Sequence, residues 1–154
     1  MQRPGEAGLT LVEMLVVLAI IGVMAGATVL TIGSGGGTAR TEAEARRLET
    51  RLELAADETM VTDRMVAFAP EADAYRFVTW DMAKGGWRPD PVDELGRRHA
   101  LPSGMRLITD TGGKPLLIGA DGGGGGMQAQ LATDDSSWTI QFDGTGATAS
   151  RTGQ

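Results

Sequence analysis

The sequence contains no cysteine in its 154 residues. A disulfide framework and thiolate metal sites are therefore excluded, and any folded domain must be held together by packing alone. Basic residues are not in excess either, because 14 Lys and Arg stand against 20 Asp and Glu, for a formal charge of -6. Phosphate binding depends on basic patches, so no nucleic-acid partner is expected. Aromatic residues are only 5% of the chain, whereas its 23 glycines favour turns between short strands over a helical bundle.

One long stretch near the N-terminus carries no charge. Residues 14–32 are almost entirely apolar, and as a helix they are long enough to cross a bilayer core of about 30 Å. A secretory leader has a shorter apolar region of about 7–15 residues that ends at a small-residue cleavage site. The sequence therefore predicts a transmembrane helix over residues 9–32. Within it, Gly22 and Gly26 form a small-xxx-small pair that could let another helix approach closely.

The junction before this stretch reads Gly8-Leu9-Thr10-Leu11-Val12-Glu13. A short polar leader, a glycine, an apolar residue and a carboxylate five positions after the glycine resemble the prepilin (class III) signal. In that family a membrane peptidase, the prepilin peptidase, cuts after the glycine and methylates the new N-terminus. The resemblance implies a leader over residues 1–8, cleavage between Gly8 and Leu9, and N-methylation of Leu9, where most members have Phe.

Glu13 lies at the edge of the predicted span. An ionisable residue there costs free energy, about 2.5–3.5 kcal/mol for an acid at the bilayer centre and less near the interface, so it usually has a partner. Spacing alone leaves two interpretations open, a boundary residue among headgroups and an assembly residue. The prepilin resemblance favours the second, in which Glu13 pairs with the N-terminal amine of a neighbouring subunit.

Residues 33–37, Gly-Ser-Gly-Gly-Gly, predict a hinge or break in the helix. Helical periodicity resumes over residues 38–62, where Ala45, Leu48, Leu52, Ala55 and Thr59 recur at three- and four-residue steps. This pattern predicts an amphipathic helix lying on a core. The charged residues on its other faces predict a solvated surface: Arg46, Arg47, Glu49, Arg51 and Glu53.

Beyond residue 62 the pattern changes to short runs rich in β-branched or aromatic residues between Gly, Pro and Asp turns. The runs are residues 65–68, 75–80, 105–109, 116–118, 127–133, 137–142 and 147–150. They predict an antiparallel β domain of seven strands, in a small sandwich. The glycines of residues 122–126 predict a mobile loop. The expected class is α+β and pilin-like: a long N-terminal helix, transmembrane in its first half, packed on the sheet domain of residues 38–154.

The order of these segments resembles the H-type minor pseudopilins of type II (general) secretion and their fimbrial T-type relatives. The segments that carry this resemblance, besides the prepilin signal, are residues 52–59, 75–77, 87–89, 101–104 and 142–144. It implies a subunit that helps assemble or cap the pseudopilus, the filament that exports folded periplasmic proteins across the outer membrane. The implied partners are major and minor pseudopilins, the prepilin peptidase, the inner-membrane assembly platform and, as a further candidate, secreted substrates. The implied location is the inner membrane, with a single pass and the C-terminal domain in the periplasm.

Two other functions fit parts of the sequence, and one histidine needs a separate interpretation. A minor pilin of a type IV pilus shares the prepilin signal, and sequence separates the two poorly. A membrane-anchored enzyme like the aspartic proteases would use Asp110 of Asp110-Thr111-Gly112, but a second such triplet is missing and a turn is favoured. The single histidine, His99, is expected at the surface, since no cysteine or second histidine can join it in a triad or zinc site. No catalytic residue, metal or cofactor is therefore expected.

Acidic loops offered one more candidate site. Asp90, Asp93 and Glu94 lie close together in the sequence, as do Asp134 and Asp135. Their spacing fits no recognised calcium loop, and calcium needs six to eight oxygens, so solvated turns are favoured.

Overall fold

The computed structural model describes residues 11–119 and 124–153. One long helix precedes a series of short strands and a single-turn helix. The helices are α1 (Leu11–Thr62) and α2 (Asp93–Gly96). The strands are β1 (Val66–Pro70), β2 (Ala74–Asp81), β3 (Gly86–Pro89), β4 (His99–Ala100), β5 (Arg106–Thr109), β6 (Leu116–Ile118), β7 (Met127–Ala132), β8 (Ser137–Phe142) and β9 (Ala147–Arg151).

The predicted break at residues 33–37 is wrong as a statement about secondary structure. Helix α1 continues through the whole glycine run. Each glycine disfavours a helix by about 1 kcal/mol relative to alanine, a local bias that helical segments on both sides can outweigh. The same run nevertheless contains the boundary between the two compact units of the chain, which falls between Gly36 and Gly37.

Helix α1 ends at Thr62, which is the residue after which the sequence changes from a helical to an alternating pattern. The next residue, Asp63, has a left-handed φ of 53°, and its N–H donates to the Thr59 carbonyl at 3.1 Å. This is a left-handed cap of the kind that glycine or asparagine usually supplies. It releases the chain from the helix and directs it into β1.

The strands form two antiparallel sheets. The first has the order β3-β2-β1-β6, with the short β4 also paired to β2. The second has the order β5-β7-β8-β9. Consecutive strands β5 and β6 therefore belong to different sheets. This arrangement agrees with the predicted antiparallel domain, and two of the nine strands formed by the described residues, β3 and β4, were absent from the seven predicted.

One hydrophobic cluster joins the helix to both sheets. From α1 it receives the face that the sequence predicts, with Ala45, Leu48, Leu52 and Ala55 all fully buried. The sheets contribute inward side chains that include Phe68, Tyr75, Phe77, Leu131 and Ile140. The second half of α1 is therefore part of the core of the unit that starts at Gly37.

Strand β8 shows how sequence alternation fixes the inward face of a sheet. Trp138, Ile140 and Phe142 are buried, while Gln141 between the last two is exposed. The predicted turn follows at Asp143, whose Oδ1 accepts the N–H of Gly146 at 2.8 Å. Such a bond from a side chain to the backbone stabilises the reversal between β8 and β9.

The prediction of a mobile glycine loop at residues 122–126 lies partly outside the described residues. Gly124, which is described, is closely packed. A Cβ added there would lie 2.5 Å from the Gly119 nitrogen and 2.6 Å from the Leu117 carbonyl oxygen. At this position glycine permits two backbone segments to approach each other, a role that differs from the predicted loop.

Candidate assembly site

The first part of α1 exposes apolar side chains on every side. Val12 is 66% exposed, Leu15 58%, Ile20 51% and Ile21 57%. At 100° per residue these four side chains are distributed around the whole circumference of the helix. A helix that is apolar all round is stable only in apolar surroundings, either lipid or packed protein. The described residues therefore leave this segment without the environment that its composition requires.

Glu13 stands in the first turn of this apolar segment. It is the only charged residue between residues 7 and 39. A carboxylate in the first turn interacts favourably with the partial positive charge at a helix N-terminus. The geometry thus brings one acidic group to the N-terminal end of a helix whose first part is otherwise apolar.

The structure describes only some of the remaining predicted site residues. Gly8 and Leu9 lie outside the described residues. Gly22 and Gly26 both lie in α1, and a Cβ added at Gly22 would meet no atom within 4 Å. Their role in helix packing therefore stays a prediction. In the part of the chain that the structure describes, no helix is sufficiently long and apolar to cross a membrane.

Polar contacts fix the second half of α1 on the second sheet. The Thr41 hydroxyl donates to the Gly37 carbonyl at 2.9 Å and lies 2.7 Å from the Ser136 hydroxyl in the β7–β8 turn. Two turns further along, the Glu49 carboxylate accepts the N–H of Ala149 at 3.1 Å. The second bond satisfies a donor of β9, the edge strand of its sheet, which would otherwise be free to pair with another strand.

Asp110 has a structural role. Its Oδ2 accepts the Gln128 N–H at 3.0 Å, and its own N–H donates to the Gln128 carbonyl at 3.1 Å. These bonds extend the pairing of β5 with β7 by one residue. The position is thus the turn that the sequence favours.

Two residues expected at the surface are less exposed than predicted, one of them only in part. His99 lies in β4 with its side chain 20% exposed, and its Nε2 is 2.7 Å from a Glu44 carboxylate oxygen. Arg51 is 7% exposed, although its helical position predicts the solvated face. The Arg51 prediction is wrong because α2 and β4 cover this side of α1, and neither element is evident from the local sequence pattern.

The acidic loops do not assemble into a cluster of ligands. Asp90 is buried, its Oδ1 accepts the Val92 N–H at 2.9 Å, and its Oδ2 is 3.8 Å from Arg64. Among the described residues no group of three or more potential metal-ligating side chains is found. The Asp90 carboxylate thus stabilises the turn before α2.

Two protein-family models match successive parts of the chain, and both agree with the features described above. A model of the prokaryotic N-terminal methylation motif matches residues 3–35. A model of the type II transport protein GspH matches residues 44–148, which is more than half of the chain. The chain belongs to the GspH family.

Individual relatives support the same family. The type II secretion system protein H of Pseudomonas aeruginosa is 31% identical over 137 residues, which are 89% of this chain and 76% of that protein. The protein H of Aeromonas hydrophila is 26% identical over 113 residues, 73% of this chain and 62% of that protein. The minor pseudopilin EpsH of Vibrio cholerae has a similar fold, with a TM-score of 0.63 and 17% identity over 75% of this chain and 99% of the solved one. The α+β pilin-like fold and the H-type family that the sequence predicts are therefore confirmed.

Proposed function

We propose that this chain is a minor pseudopilin subunit that helps assemble or cap the type II secretion pseudopilus. The observation that carries the proposal is the first part of α1, which is apolar and exposed on all sides and bears a single carboxylate at its start. A domain built only to fold by itself would bury such a surface. A filament subunit needs it, because neighbouring subunits cover it.

The membrane is the proposed environment of this helix before assembly. The uncharged stretch of residues 14–32 supports a single pass through the inner membrane, with the unit that begins at Gly37 in the periplasm. The prepilin peptidase is proposed to cut between Gly8 and Leu9 and to methylate Leu9. The match of residues 3–35 to the N-terminal methylation motif supports this step. The proposed partners are other pseudopilins, the assembly platform and, at the tip, secreted substrates.

Glu13 is proposed to direct assembly. Cleavage would leave a cationic amine on Leu9, and in a filament that has withdrawn from lipid this amine would lie near the Glu13 carboxylate of an adjacent subunit. Opposite charges attract each other more strongly where water is scarce, and removing one member strands the other. The pair would exist only in the assembled state, so it would favour assembly over dispersal in the membrane.

The proposed role is structural and includes no catalysis. Asp110, the residue of the tripeptide that suggested protease chemistry, accepts a backbone hydrogen bond that extends the β5–β7 pairing. Membership of a family of secretion filament proteins supports a function that depends on contacts between subunits.

The test replaces Glu13 by alanine and by glutamine in the full chain, with Glu42→Gln as the matched control. Glu42 lies exposed on the same helix, inside the folded unit. Glu13→Ala should spare cleavage and ease membrane insertion, because an ionisable group leaves the span. It should also abolish crosslinking to neighbouring pseudopilins and reduce secretion, whereas Glu13→Gln should be less severe and Glu42→Gln neutral. If Glu13→Ala is cleaved, inserted, crosslinked and active in export, Glu13 is only a boundary residue.

A further inference from the structure

A cavity of about 500 Å³ opens beside the second half of α1. Its lining, called the arginine pocket below, consists of Arg47, Arg51, Glu94, Arg97, Arg98 and His99. Four of these six residues are arginines, in a chain whose formal charge is -6. The pocket is therefore a local concentration of positive charge on an acidic protein.

Arg51 forms the inner wall of the pocket and has an unusual environment for a cation. It is 7% exposed, and its Nη2 donates to the backbone carbonyls of Glu94 and Arg97. Its guanidinium lies 5.2 Å from the centre of the Tyr75 ring and 5.8 Å from that of Phe77. Burial raises the pKa of the Tyr75 hydroxyl, so this group stays neutral and supplies no negative charge.

None of the ion pairs between described side chains includes Arg51. Its described side-chain neighbours are the Tyr75 and Phe77 rings, which carry no formal charge. A buried charge is normally paired, because carbonyl dipoles and aromatic faces compensate a cation less well than an anion does. The arginine pocket thus contains positive charge that an incoming anion would neutralise.

Three carboxylates near the pocket, those of Glu44, Glu71 and Asp73, are engaged with other cations. Glu44 contacts His99 at 2.7 Å and Arg47 at 3.4 Å. Arg98 is held by Glu71 at 2.8 Å and by Asp73 at 3.1 Å. These pairs keep the rim of the pocket in place and leave the buried guanidinium of Arg51 uncompensated.

We propose that the arginine pocket binds carboxylate side chains of an acidic segment of another protein. Guanidinium groups recognise planar carboxylates through two parallel hydrogen bonds. The cavity has room for several side chains, and the arginines that line it are complementary in charge to a run of carboxylates. That the segment belongs to a protein of the secretion filament rests on the proposed function, whereas the carboxylate preference does not.

The chain offers a matched pair of variants for the test. Arg46 and Arg47 are neighbours on α1, their side chains are 54% and 56% exposed, and each forms an ion pair with a glutamate three residues away. Only Arg47 lines the pocket. The full chain in detergent micelles is titrated with end-capped hexaglutamate, and binding is measured by calorimetry. Arg47→Gln should weaken binding about fivefold, as expected for one partly exposed charge pair, and Arg46→Gln should leave it unchanged.

A second measurement needs no variant. In an NMR titration of the full chain, hexaglutamate should shift the Nε–Hε signal of Arg51, and end-capped hexaglutamine should not. Equal losses in the two arginine variants would mean a general charge effect and would overturn the proposal. Absence of binding, an unmoved Arg51 signal, or tighter binding of inorganic phosphate or anionic phospholipid vesicles would overturn it as well. None of these outcomes depends on Glu13, so this inference and the proposed function can fail separately.

Discussion

The packing of α1 on the two sheets predicts a large difference between two leucines on the same helix. Leu52 is fully buried in the cluster shared by the helix and both sheets. Leu54, two residues away, is 36% exposed. Leucine to alanine is the same chemical change at both positions, and the gain in intrinsic helix propensity is also the same. The difference between the two variants therefore reports only the environment of each side chain.

The expected magnitude follows from burial. Removing three buried carbons from Leu52 loses about 2 kcal/mol of transfer free energy. The cavity that remains adds to this loss, which brings Leu52→Ala to about 3–4 kcal/mol of unfolding free energy. Leu54→Ala leaves a hole open to water and should cost about 1 kcal/mol or less. For a domain of this size, 3 kcal/mol lowers Tm by about 12 °C.

The assay measures the thermal unfolding of a chain that begins at Thr38, with circular dichroism as the signal. This chain keeps almost all of the compact unit that starts at Gly37, and it should be soluble, folded and rich in β structure. A spectrum dominated by helix would contradict the fold. Equal Tm values for the two alanine variants would show that Leu52 does not face the sheets, and the described packing of α1 would be refuted.

Three further outcomes are expected. The Gly146 N–H is the main group that lowers the pKa of the Asp143 carboxyl. The charged Asp143 carboxylate therefore stabilises the fold at pH values above its unfolded pKa of about 3.8, and this stability is lost as the pH falls below that value. Asp143→Asn removes the titrating group, so Tm should fall less steeply below about pH 4. Asp110→Asn keeps an acceptor for the Gln128 N–H and should leave secretion intact, whereas loss of export by a folded variant would revive a catalytic role. Gly8→Val should block processing, which mass spectrometry would show as an intact leader, and a processed chain would refute the cleavage site.

The buried face of α1 could be predicted because helical periodicity is local. Ala45, Leu48, Leu52 and Ala55 recur at the spacing that puts them on one side of any helix, whatever lies opposite. Arg51 was predicted wrongly from the same periodicity. Its burial depends on α2 and β4, which lie more than forty residues further along the chain, and helical spacing contains no information about them.

The strands also divide into those that the local sequence predicts and those that it does not. Strand β8 was predictable because its inward and outward residues alternate, and the turn after it has the Asp-Gly signal. Strand β3 was missed because Gly86 begins it and Pro89 ends it, and both residues usually indicate turns. Among the strands that the structure describes it pairs with β2 alone, at an edge of the sheet, a location that tolerates proline. The two residues of β4 are too few to show any pattern.

The interruption predicted at residues 33–37 shows the limit of intrinsic propensity. Glycine disfavours helix in isolation, but α1 is continuous there, and tertiary context commonly overrides a bias of this size. The signal in the glycine run is instead the unit boundary between Gly36 and Gly37. The predicted break is therefore wrong about backbone conformation, and the division of the chain into an anchor and a domain stays a prediction.

The exposed apolar part of α1 also constrains how a filament could form. Moving an apolar helix from lipid to a bundle of similar helices gains little hydrophobic free energy, because both environments are apolar. Val12, Leu15 and Ile21 therefore cannot by themselves make the filament more stable than the membrane. Under the proposed function, the group that distinguishes the two states is Glu13, which is costly in lipid and compensated beside a neighbouring amine. Preference for the assembled state then depends on one carboxylate, while the apolar residues around it make both environments accessible.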